Sequence, residues 1–206
     1  MKMITSFKTI SGQSEGFFKD RGSKFLAFAY PVKTEDEIKE YLEILRKEYH
    51  DARHHCYAWK LGTEPVLFRA NDDGEPSNSA GKPILNQIEK YELTDILIVV
   101  IRYFGGILLG VGGLINAYRT AAAACIQNSE ILTMQVQKFF RVDFKYPQMN
   151  DVMKIIKEFD LESSNHVFEL SCSLIIRVNL ADKEKVISHL DIIEDCSWKE
   201  VDLNNF

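Results

Sequence analysis

One segment constrains this chain more than any other: residues 95–103, DILIVVIRY. Its continuous apolar, β-branched run has no polar face, so it reads as a central strand rather than as one with a solvated side. It feeds a glycine-rich turn and then an alanine-rich helix over about residues 113–127. Arg102 separates it from the uncharged stretch 103–118, which carries five glycines and is too short and too flexible to span a bilayer. The opening residues Met1, Lys2 and Met3 lead into no apolar stretch of the kind a secretory signal needs, so a soluble cytoplasmic protein with no membrane association is expected.

Around that strand the patterning predicts a strand over 7–19 and a second over 23–30 (SKFLAFAY), stopped by Pro31, together a β-hairpin. Thr34 caps a helix whose apolar residues Ile38, Tyr41, Leu42, Leu45 and Tyr49 recur at three- and four-residue steps, so it packs against a sheet. Short strands are expected at 54–61 and 65–69, then a polar loop (NDDGEPSNSAGKP) and a helix over about 83–90. From residue 134 the rhythm changes. Residues 134–145 alternate between Met134, Val136, Phe140, Val142 and Phe144 on one face and Gln135, Gln137, Arg141, Asp143 and Lys145 on the other. A helix with Met149, Val152, Met153, Ile156 and Phe159 follows, then strands near 161–168 and 170–180. A helix with Val186, Ile187, Leu190 and Ile193 and a last strand near 197–203 complete the order βαββαβ, the ferredoxin-like unit. The expectation is an α+β chain of two domains, 1–133 and 134–206.

The formal net charge is −5, and residues 134–206 hold 9 Lys and Arg against 13 Asp and Glu. A general polyanion binder is usually basic, so any nucleic-acid binding must come from a local patch. The four cysteines show no CxxC or zinc-finger spacing and read as reduced, buried thiols.

Most of the chemical signal lies between Asp72 and Arg119. The segment RYFGGILLGVGGL, with Gly105, Gly106, Gly110, Gly112 and Gly113, sits between a buried strand and a helix start, where free backbone N–H groups and the helix dipole can receive an anion. It is neither a Walker A loop nor a dinucleotide fingerprint, and a tight turn with close helix packing accounts for the same glycines. Lys82, Arg102 and Arg119, with Arg21 and Lys24, are the cations nearest this region. The loop Asp72-Asp73-Gly74-Glu75-Pro76 offers three carboxylates suited to Mg²⁺ or to a general base, or equally a solvated turn in which Ser77, Asn78 and Ser79 cap a helix. His54 and Cys56 share a strand face, but no third ligand lies nearby, so no metal site is expected.

The successive segments DARHHCYAW, NDDGEPSNSAGKPIL and VVIRYFGGILLGVGGLINAY resemble, in order and spacing, the signature of the IMPACT/YigZ family. The resemblance implies an amino-terminal βαβ-type sandwich similar to domain IV of elongation factor G, and a carboxy-terminal domain similar to that factor's domain V. It also implies a link to translation, because eukaryotic relatives regulate translation initiation, and it carries over no catalytic residue. This chain departs from the family pattern at Ser79 and Val111, where threonine is common, and at Arg119-Thr120-Ala121, where a glycine run is common. The reading that follows is a binding protein without a cofactor or assumed catalysis. Its expected partner is RNA, a ribosome-associated partner or a phosphate-bearing ligand, held by Lys82, Arg102, Gly105, Gly106, Gly110, Gly112, Gly113 and Arg119. The rivals are a Mg²⁺-dependent enzyme on a phosphorylated or nucleotide substrate, using Asp72, Asp73 or Glu75, and a protein-interaction module. Convergence of the acidic loop on the glycine loop would favour the enzyme.

Overall fold

The structure, a computed structural model, describes residues 4–202. The chain forms two compact units, one spanning Phe7–Met134 and the other the residues from Gln135 onward with those before Phe7. The larger unit runs β1 (Ser6–Ile10), β2 (Ser14–Asp20), β3 (Ser23–Pro31), α1 (Glu35–Glu48), β4 (His54–Leu61), β5 (Leu67–Asn71), α2 (Gly81–Lys90), β6 (Ile96–Tyr103), α3 (Gly110–Gln127) and β7 (Ile131–Gln135). Five strands form an antiparallel sheet in the order β2-β3-β6-β4-β5, and β1 pairs with β7.

The apolar run is the central strand, and its two faces serve two cores. Leu97, Val99 and Ile101 pack under α1 with Ile38, Leu42 and Leu45, while Ile96, Ile98 and Val100 pack under α2 and α3 with Ile84, Ile88 and Ala121. The period of two along a strand sends alternate residues to opposite helix layers. Thr34 caps α1 by accepting from the Glu37 N–H, and Glu37 returns a carboxylate to the Thr34 N–H.

Three expectations change at this level. The strand over 7–19 is two strands: β1 pairs with β7 and β2 with β3, and the chain changes partner at Ser11–Gly12, where the Ser11 N–H bonds the Glu130 carbonyl. The strand over 134–145 is also interrupted, because Val136 leaves the ladder to give its N–H to the Thr5 carbonyl and to accept from the Leu180 N–H. Helix α3 starts at Gly110, earlier than residue 113, with Gly110 at φ +70°, a conformation that favours glycine at the helix entrance.

The smaller unit runs β8 (Gln137–Lys145), α4 (Met149–Glu158), β9 (Glu162–Phe168), β10 (Ser171–Asn179), α5 (Lys183–Leu190) and β11 (Cys196–Val201). Its strands form an antiparallel sheet in the order β11-β8-β10-β9, so the βαββαβ reading holds. Phe140, Val142 and Phe144 of β8 meet Val152 and Ile156 of α4 and Val186 and Leu190 of α5. The α4 stripe falls on Val152, Ile155 and Ile156, leaving Met153 exposed. Leu203, included in the expected last strand, lies outside the described residues, as do the opening Met1, Lys2 and Met3.

Candidate functional site

The sheet register sets the site. Within the antiparallel ladders Arg102, near the end of β6, lies opposite His54 of β4 on one side and Phe25 of β3 on the other. Arg102 continues the face of Ile98 and Val100, so its side chain goes under α2 and α3 where an aliphatic residue would be expected. Its guanidinium is compensated there: Nη1 donates to Glu75 Oε1 at 2.7 Å, with the two side chains only 8% and 4% exposed. Tyr118 of α3, fully buried, donates its hydroxyl to the same carboxylate oxygen at 2.8 Å. The Cys56 thiol lies 3.3 Å from the Tyr118 hydroxyl and 2.9 Å from the Asp72 carbonyl, which completes a buried polar chain Cys56–Tyr118–Glu75–Arg102. The rings of Phe25 and Phe104 lie 5.7 and 5.6 Å from the Arg102 guanidinium carbon. Burial drives the Cys56 thiol and the Tyr118 hydroxyl well above their ordinary ranges, so both stay protonated donors near neutrality. A thiol held this way is not a nucleophile.

The acidic loop does reach this chain, through Glu75, but each of its carboxylates is occupied by the protein itself. Asp72 Oδ1 accepts from the Ala80 and Gly81 N–H groups at 2.9 and 2.8 Å, and Oδ2 from the Asn78 N–H at 2.8 Å. Asp72, rather than Ser77, Asn78 or Ser79, therefore closes the start of α2, while Ser79 donates to the Pro76 carbonyl. Asp73 Oδ2 accepts from the His55 N–H at 2.6 Å, and His54 Nδ1 lies 2.8 Å from the Asp73 carbonyl. The convergence named for an enzyme is thus a buried ion pair that ties the loop to β6. Among the described residues no group of three or more His, Cys, Asp or Glu side chains is arranged to hold a metal ion.

The glycines divide into two kinds. A Cβ on Gly105 would overlap the backbone of Gly22 and Ser23, and the Gly105 N–H donates to Ser23 Oγ at 3.1 Å, so this glycine exists for strand-turn packing. Gly113 is crowded by the Leu109 side chain. Gly106, Gly110 and Gly112 instead face open space, and no side chain caps the N-terminus of α3. Gly106 and Gly110 have positive φ, whereas nothing in the backbone of Gly112 demands glycine.

Beside Arg102 opens a cleft of about 420 Å³, lined by Asp51, Arg53, His54, Arg102, Tyr103, Phe104 and Leu108. Arg53 is exposed and has no ion-pair or hydrogen-bond partner among the described residues. Arg102 keeps a buried Nε with no acceptor among the described residues. Tyr103 donates to Asp51 at 2.7 Å, and desolvation together with that carboxylate pushes its phenol up to about 12. Phe104 and Leu108 are exposed, so the cleft combines the exposed Arg53 cation with an accessible aromatic ring. Of the eight residues singled out from the sequence, Arg102 alone lines this cleft. Lys82 is exposed on the first turn of α2, and Arg119 is exposed on α3 with its guanidinium on Asn116 Oδ1 at 2.7 Å. Sequence reasoning did not single out Arg53 or Phe104, because only the β4–β6 ladder brings residues 51–54 beside residues 102–108.

Comparison with known proteins places this geometry in a family. The family model described as the Impact N-terminal domain matches residues 21–126, which include every element around the cleft and the buried polar chain. The chain is 32% identical over 156 residues to the Bacillus subtilis IMPACT family member YvyE, covering 76% of this chain and 72% of that one. It is 43% identical over 98 residues to Escherichia coli YigZ, covering 47% and 48%. A crystal structure of a hypothetical protein superposes with a TM-score of 0.71 at 25% identity, covering 98% of each chain. No helix among the described residues is long and apolar enough to cross a membrane. The match over half the chain and the bacterial relative aligned over most of both lengths together make this chain a member of the IMPACT family.

Proposed function

We propose that this chain is a binding protein with a translation-related regulatory role, and that it takes the phosphates of RNA at the end of β6. The regulatory half rests on family membership, through the link to translation that the resemblance to the IMPACT family implies. The RNA half is carried by one observation: a cleft in a net acidic chain where the exposed Arg53 has no ion-pair or hydrogen-bond partner among the described residues and Phe104 offers an exposed ring. Guanidinium groups favour phosphate oxygens by geometry and charge, and an exposed aromatic face accepts an unstacked base. The open side of Gly106, Gly110 and Gly112, at the uncapped start of α3, lets a backbone phosphate approach the helix N–H groups next to Leu108. Lys82 and Arg119 are exposed cations on the two helices that cover this face, and in this reading they extend the track.

The occupied carboxylates of the acidic loop favour binding over catalysis. The test is fluorescence anisotropy of an unstructured single-stranded RNA with the full chain at several salt concentrations. Each phosphate contact removed should flatten the slope of log affinity against log salt by about 0.7. Arg53→Ala, an exposed position, is expected to weaken binding and flatten the slope by that amount at an unchanged melting temperature. Absence of binding at low salt, or unchanged affinity and slope in Arg53→Ala, refutes the proposal.

A further inference from the structure

The smaller unit has a second concavity, unrelated to the cleft in the larger one. It is a groove of about 490 Å³ between α4 and α5. Ile155, Ile192 and Ile193 give it an apolar lining, and Ile192 is 81% exposed although it is among the larger aliphatic side chains of the unit. Around it stand the carboxylates of Asp151, Glu158 and Glu194, all exposed and all without an ion-pair or hydrogen-bond partner among the described residues. Acidic residues on the sheet of the same unit and in the turn before β11 behave differently: Asp143 pairs with Arg141, Glu162 with Arg177, Asp195 with Lys145, and Glu200 with Lys138 and Lys183. One cation, Lys154, lines the groove, and His189 has its Nδ1 engaged by the Lys185 carbonyl, so carboxylates outnumber the free cation. Gln148 at the groove keeps a buried side-chain oxygen with no donor among the described residues.

We propose that this groove is a docking site for a basic amphipathic helix of a partner protein. Two packed helices with apolar side chains between them offer the trough into which a third helix lays its apolar face. The unpaired carboxylates select the sign of the flanking charges, because like charges at such a contact are costly while opposite charges speed and orient association. The same charges disfavour a nucleic acid. The unit as a whole agrees with this choice, holding 9 Lys and Arg against 13 Asp and Glu over residues 134–206. The partner's chemistry is a Lys- or Arg-rich helix with aliphatic residues on one face.

The test uses the full chain with labelled isoleucine methyl groups and a synthetic Leu/Lys peptide patterned as an amphipathic helix. Expected are methyl shifts at Ile155, Ile192 and Ile193, and an affinity that falls about tenfold in Ile192→Lys, the order set by losing burial of one aliphatic side chain. Because Ile192 is exposed, that variant keeps the wild-type melting temperature and the loss is readable as binding. A Glu158→Lys variant should lose affinity and salt dependence together. A Leu/Glu peptide that binds as tightly, peptide-induced shifts confined to other methyls, or shifts at these methyls caused by single-stranded RNA would overturn the proposal. So would a concentration-dependent dimer abolished by Ile192→Lys, which would assign the groove to a second copy.

Discussion

Replacing Glu75 by glutamine isolates the charge on which the buried polar chain depends. In Glu75→Gln the side-chain amide would keep an acceptor oxygen for Arg102 and Tyr118, at the present 2.7 and 2.8 Å, but the negative charge would be gone from a site where both members of the ion pair are more than nine-tenths buried. An uncompensated guanidinium would then sit among Phe25, Phe104 and the α3 core. Breaking a buried pair from one side costs about 3–5 kcal/mol. For a unit of this size the loss corresponds to a fall in melting temperature of about 10–20 °C. Tyr118→Phe removes one hydrogen bond to a charged acceptor and leaves the ion pair, so its cost should be smaller, about 1.5–3 kcal/mol. The double variant Glu75→Leu with Arg102→Met removes both charges and should recover much of the single-variant loss, since matched apolar replacement of a buried pair is often neutral. Urea unfolding of wild type, Glu75→Leu, Arg102→Met and the double, read as a cycle, supplies the coupling. Glu75→Gln within about 1 kcal/mol of wild type, or single losses that simply add in the double, would refute the reasoning.

Three further outcomes follow from the same structure. His55 is buried, its Nε2 has no hydrogen-bond partner among the described residues, and desolvation lowers its pKa against the opposing pull of Asp73, so the unfolded chain binds its proton more readily. Its contribution is complete above the ordinary value of 6.5 and is lost as pH falls below it, with a slope of at most about 1.4 kcal/mol per pH unit, and His55→Asn should flatten the urea midpoint between pH 7 and 5.5. Gly105→Ala, which forces a Cβ into the Gly22–Ser23 backbone, should lower the melting temperature markedly, whereas Gly112→Ala, facing open space without a positive φ, should not. Phe139→Ala should leave RNA affinity unchanged. Phe139 is the one aromatic side chain on the polar faces read along residues 134–145 and 170–180, too few for a base-stacking platform.

Local patterns carried those elements whose physics is local. Residues 96–101 allow no solvated face and became the central strand; Thr34 before a three-and-four stripe became a capped helix; the alternation from Gln137 onward became β8. What local patterns cannot show is a change of partner. β1 and β2 read as one strand because nothing in their side chains records that one pairs with β7 and the other with β3. The site failed to be legible for the same reason. Asp72 has the chemistry of a metal ligand and the role of a helix cap, and only the fold brings the Ala80 and Gly81 N–H groups to it. Arg102 was visible as a cation beside a glycine loop, but its counter-charge lies 27 residues away and its cleft is completed by residues about 50 positions earlier. The glycines illustrate the limit most clearly: Gly105 and Gly106 are neighbours of identical chemistry, one fixed by backbone contact with Gly22 and the other open to solvent.

The claim that RNA is held at the end of β6 is tested most directly by photo-crosslinking the full chain to a single-stranded RNA containing 4-thiouridine, followed by trypsin digestion and mass spectrometry. Trypsin cleavage after Arg102 and Arg119 isolates residues 103–119, a single peptide that contains Phe104, the open glycines and the start of α3. Crosslinked nucleotide is expected to concentrate on this peptide, with Tyr103 or Phe104 as the attachment point, and Arg53→Ala to reduce the yield. Crosslinks confined to peptides of β8, β10 or the α4–α5 groove, with none on residues 103–119, would contradict it.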